Sequence, residues 1–179
     1  MNLEDVEKFH SFISPFMNSI TALLEGQNGG KGYPAQALIL LYAMLDQLGW
    51  VYCETEFSDS KDFKKWISDF CNLTDTGCTE DDLWIARCGS IHMGVTYNKN
   101  FKIEKNSQLS FYLNTKFTKK EIKEEESRYS KPTKFIDMGL LIEAVNNGVE
   151  KFSNILDADE ILAVRVISKI DKRQKLRFI

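Results

Sequence analysis

Arg87 and His92, in the segment RCGSIH, are the residues whose types and spacing best suit chemistry in this chain. A guanidinium is permanently charged and can hold a phosphate through paired hydrogen bonds. An imidazole titrates near neutrality and can move a proton. Together they form a minimal kit for cutting RNA without a metal. The plainer roles are equally concrete at this point. Arg87 can pair with Asp82 or Asp46, and His92 can cap a helix end or sit as a satisfied, partly buried side chain.

The elements that must position this pair read as helices. Val6, Phe9, Phe12, Ile13, Phe16, Ile20, Leu23 and Leu24 recur at helical spacing over residues 3–25, with Pro15 expected to kink or divide that helix. Gly26 to Pro34 reads as a loop. Ala35 to about Cys53 is apolar on most of its circumference and should be the central buried helix. Ser58 or Ser60 is expected to cap a third helix through Phe63, Trp66, Ile67 and Phe70. Thr79 then opens a fourth, with Asp82 completing a capping box. Leu83, Ala86 and Ser90 line one face of it, and Gly94 can stop it. Arg87 and His92 fall five residues apart, about 140° around such a helix at roughly 3.6 residues per turn. His92 at the C-terminal end would favour its protonated form.

Beyond Tyr97 the helical period fades. Leu109, Phe111 and Leu113 alternate with polar residues, which predicts a short hairpin. Residues 118–134 read as a charged loop or mobile helix. Asp137 to Leu156 is helical again, whereas Ile161, Val164, Val166 and Ile167 leave the final segment open between helix and strand.

The composition excludes several classes. At 179 residues, 43% hydrophobic and 27% charged, the chain suits a single globular domain spanning 1–179. The apolar run from Ala37 to Leu45 is too short to span a bilayer. Acidic residues occupy the start where a signal peptide would be basic. Four cysteines without CxxC spacing suit reduced thiols. A cytoplasmic location is therefore expected, with no membrane partner. No cofactor is expected, and zinc is disfavoured because Cys53, Cys71, Cys78, Cys88 and the two histidines lack ligand spacing. Residues 1–98 hold 6 Lys/Arg against 14 Asp/Glu, whereas residues 99–134 hold 10 against 5. That asymmetry permits a local basic surface, although a solvated lysine-rich excursion is the plainer reading. Trp50, Trp66 and Trp84 read as core residues rather than a base-stacking platform. His10 reads as a surface or packing residue, and Cys88 as a small helix residue.

The buried second helix, the capped fourth helix ending in Arg-x4-His, the insert and the last amphipathic helix together resemble the HEPN domain superfamily. That resemblance covers residues 1–95 and 136–156, with 97–134 as an insert. It implies an all-α, HEPN-like bundle of about five helices with a small β or irregular insert, and a metal-independent endoribonuclease or RNA-binding activity in defence or stress response. Arg87 would hold the scissile phosphate, and His92 would serve as base or acid for 2′-hydroxyl attack. It implies a homodimer that brings two motifs to one groove, with RNA rather than DNA as substrate and an antitoxin or regulatory protein as a further partner. Two positions depart from the pattern. Cys88 stands where active members often carry a polar residue, and Gly94 where one subgroup carries tyrosine. The alternative implied is a catalytically inactive HEPN-like module that binds a partner or a nucleotide.

Overall fold

The computed structural model describes residues 3–26, 32–93, 107–113 and 118–175. Among these lie seven helices and two strands: α1 (Leu3–Glu25), α2 (Pro34–Tyr52), α3 (Ser60–Phe70), α4 (Glu80–Met93), β1 (Gln108–Tyr112), α5 (Lys119–Glu126), β2 (Thr133–Asp137), α6 (Met138–Ala158) and α7 (Glu160–Lys175). The chain is therefore predominantly helical, as its apolar spacing predicts. Among the described residues no helix is long and apolar enough to cross a membrane. Two compact units divide it, one of Met1–Phe70 with Asn147–Ile179, the other of Cys71–Asn146.

In the first unit α2 packs against α1, α3 and α7. Leu41, Met44, Leu45, Leu48 and Val51 are fully buried, so α2 is the central helix of this unit. Gly49 permits its close approach to α3, since a Cβ there would lie 3.0 Å from the backbone of Phe63. Phe152 of α6 gathers the aromatic core. Its ring centroid lies 5.4 Å from Phe9, 5.6 Å from Tyr52, 6.2 Å from Trp66 and 4.9 Å from Phe70. Three of these four contacts are edge-on, the arrangement that ring quadrupoles favour.

The C-terminal end of α2 leaves carbonyls without intrahelical donors. Lys169 of α7 resolves this. Its buried Nζ donates to the carbonyls of Trp50 at 2.6 Å, Cys53 at 2.7 Å and Thr55 at 2.8 Å. Three N–H bonds thus meet three oxygens at the negative end of the helix dipole. Arg165 adds a bond from Nη2 to the Tyr52 carbonyl at 3.1 Å.

Two sequence expectations for these helices change, and one open reading is decided. Pro15 does not divide α1, which runs unbroken through it. Its apolar face is buried on both sides of the proline, at Phe9, Phe12, Ile13 and Ile20, and that burial outweighs the roughly 3 kcal/mol penalty of an interior proline. The cap of α3 is Asp59 rather than Ser58 or Ser60: its Oδ1 accepts from the Lys61 N–H at 2.6 Å, and Asp62 Oδ2 accepts from the Asp59 N–H at 2.8 Å. The final segment is helical, with Asp159 Oδ1 accepting from the Leu162 N–H.

In the second unit the described residues hold a different strand pairing from the expected hairpin, whose other residues, 97–106 and 114–117, lie outside them. β1 pairs in parallel with β2, Leu109 opposite Lys134 and Phe111 opposite Ile136. Parallel strands cannot be joined by a tight turn and need a crossover, which contains α5. The Thr118–Glu121 capping box starts α5. Its charges are largely spent locally, in Lys120–Glu124 and Arg128–Glu125 ion pairs, so this part of the lysine-rich stretch is a solvated helix.

Two substitutions test the first unit. Phe152→Ala should cost about 3–5 kcal/mol in urea unfolding, the usual cost of deleting a buried aromatic. Lys169→Met keeps the stem but orphans three carbonyls, and should cost about 3 kcal/mol. A loss below 1 kcal/mol in the second case would contradict the capping role.

Candidate phosphate-contacting site on helix α4

Helix α4 is set in place at its first turn. Asp82 Oδ2 accepts from the Thr79 N–H at 3.1 Å, and Thr79 Oγ1 accepts from the Asp82 N–H at 3.2 Å, closing the anticipated capping box. The same carboxylate reaches further. Oδ1 accepts the Ser107 N–H at 3.0 Å, just ahead of β1, and Oδ2 binds Lys134 Nζ of β2 at 2.9 Å. Asp82 is 2% exposed. Burial pushes its carboxyl upward, but the bonds from Ser107, Lys134 and Thr79 together outweigh this, so the group lies below the usual carboxylate range. Of the two carboxylates offered by sequence as partners for Arg87, Asp82 is thus held by Lys134.

Leu83 and Ala86 are fully buried and Ile85 nearly so, which fixes the inward face of α4. Arg87 lies beside that face and is half-buried. Its Cζ sits 5.1 Å from the ring centroid of Trp84, one turn earlier, within cation–π range. Its Nη1 lies 3.9 Å from Cys88 Sγ. Trp84 is itself half-buried, so it is not the core residue that its helical setting predicted. Trp66 is fully buried as expected, and Trp50 is half-buried with its indole N–H donating to the Glu56 carbonyl at 2.9 Å.

The backbone of His92 belongs to the last turn of α4. Its side chain lies outside the described residues, as do Gly94, Tyr97 and the whole stretch 94–106. The distance between the Arg87 and His92 side chains is therefore not part of the geometry on which the site rests. The other histidine occupies a different setting: His10 Nε2 lies 3.2 Å from Ser153 Oγ, joining α1 to α6. Ser153 is buried mid-helix, where surrounding N–H groups serve the helix itself, so this contact satisfies a hydroxyl rather than preparing a nucleophile. Burial raises the Cys78 thiol above its ordinary value, which removes it as a ready nucleophile. Among the described residues no group of three His, Cys, Asp or Glu is arranged to hold a metal ion.

Sequence reasoning missed Lys134 and Ser107 as the partners of Asp82, and Trp84 as the partner of Arg87. The last was legible in principle, because residues three apart on a helix are neighbours. No protein-family model, curated protein or solved structure matches the chain.

The sign of the Asp82 shift gives a test. A carboxyl depressed in the folded state stabilises it above its unfolded pKa of about 4, and that contribution is lost as pH falls through the folded value. Asp82→Asn should cost about 3 kcal/mol near neutral pH. The deficit relative to wild type should shrink as pH falls from about 4 towards the folded value. A deficit that stays constant over that range would show that packing, not charge, holds this turn.

Proposed function

We propose that this chain is a HEPN-like protein that binds RNA and cleaves it without a metal, through Arg87 and His92 at the end of α4. The reading rests on one observation above all. Helix α4 is seated through the buried Asp82 of its first turn, and Arg87 stands beside its buried face with its guanidinium over Trp84. A seated, half-exposed guanidinium is suited to a phosphodiester, whose charge it would stabilise as the attacking 2′-hydroxyl adds to phosphorus. His92 would take the proton from that hydroxyl or return one to the leaving 5′-oxygen. One imidazole does not serve easily as acid and base together. Pairing of two chains about a two-fold axis would bring both motifs to one groove and supply the second. Because the nucleophile is the 2′-hydroxyl, RNA is cut to a cyclic phosphate and DNA is spared.

A second reading is favoured by Cys88. In active members of the superfamily the residue after the arginine is often polar, and here a thiol lies against the guanidinium. The chain would then bind RNA or a nucleotide without cutting it.

Purified protein incubated with single-stranded and structured RNA in EDTA separates the two. Cleavage with cyclic-phosphate ends is expected, slowed about 10²–10⁴-fold by His92→Ala and about 10²–10³-fold by Arg87→Ala. Equal cleavage by wild type and His92→Ala would identify a contaminant and defeat the nuclease reading. Binding that Arg87→Ala abolishes, without cleavage, would select the silent one.

A further inference from the structure

We infer that Trp84 is a positioning residue for Arg87, restricting the guanidinium in readiness for a phosphate; this rests on the phosphate-contacting reading of Arg87. A free arginine side chain samples many rotamers, and a binding event must remove that entropy. Here the two residues are three apart on α4, so their side chains share one face of the helix. The guanidinium carbon lies 5.1 Å from the indole centroid, and both residues are half-buried. Partial burial strengthens the attraction between a cation and a ring face, because less water competes for the charge.

A guanidinium carries its N–H groups in its own plane, where they serve planar, paired recognition of phosphate oxygens. Trp84 would therefore lower the cost of phosphate binding without touching phosphate. Phenylalanine keeps a ring face and should preserve most of the effect. Leucine keeps apolar volume but has no quadrupole and should lose it. Lysine at position 87 lacks the plane and should bind weakly even with Trp84 in place.

The test is a double-mutant cycle on the full chain, using a fluorescein-labelled 2′-O-methyl RNA oligonucleotide that cannot be cleaved by 2′-hydroxyl attack. Binding is read by anisotropy at low salt. Trp84→Leu should weaken binding about three- to tenfold, the range expected for a partly desolvated cation–π contact. Trp84→Phe should stay within about twofold of wild type on the same scale. In an Arg87→Ala background Trp84→Leu should have no further effect, because the route through the guanidinium is gone. An equal loss in that background would overturn the inference and make Trp84 a structural residue or a direct RNA contact. Binding that depends on Arg87 but not on Trp84 would overturn it alone, leaving the phosphate reading intact. Absence of any Arg87-dependent binding would overturn both.

Discussion

A single buried carboxylate organises the part of the chain on which the functional reading depends. Asp82 closes the first turn of α4, receives the backbone just ahead of β1 and pairs with Lys134 on β2. A buried charge left without partners would cost several kcal/mol, so the four groups must come together or not at all. That requirement couples the start of α4 to a small parallel sheet. Arg87 follows Asp82 by five residues, in the same helix whose Leu83 and Ala86 are sealed inward. The place of Arg87 beside that sealed face is thus inherited from a contact made elsewhere on the helix.

The first unit shows the same logic with the opposite charge. The C-terminal end of α2 would expose unmet carbonyls, and one ammonium from α7 satisfies that of Trp50 together with those of Cys53 and Thr55 just beyond the helix. Both anchors place a charge where the helix dipole favours it, an anion at the start of α4 and a cation at the end of α2. Phe152 supplies the apolar counterpart in the first unit, meeting rings from α1, α2 and α3. Hydrophobic burial drives the collapse, and the two charge anchors select how the helix ends are finished.

What could be read from the residues follows the range of the interaction. Helices α1, α2, α3, α4 and α6 were legible because their apolar faces repeat locally. The type of α7 was not, since Ile161 and Val164 are apolar yet 82% and 65% exposed, blurring the period set by Leu162, Val166 and Ile170. The alternation around Leu109 marked a strand correctly but could not name its partner, which lies beyond α5. The capping box at Thr79 was visible four residues wide. The bond from Asp82 to Lys134 spans 52 residues and that from Lys169 to Cys53 spans 116, and no local pattern encodes either. At the candidate site, Arg87 was identified by type and spacing, while its cation–π contact with Trp84 needed the helix to be in place.

The central claim is that the Arg87 end of α4 grips a phosphodiester. The most direct measurement is an NMR titration of ¹⁵N-labelled full chain with 2′-O-methyl RNA, following the arginine Nε–H and tryptophan indole signals together with the backbone of α4. The account predicts saturable shifts of the Arg87 Nε–H and Trp84 indole signals, accompanied by the last turns of α4. Saturable shifts confined to other elements, with Arg87 unmoved, would contradict it.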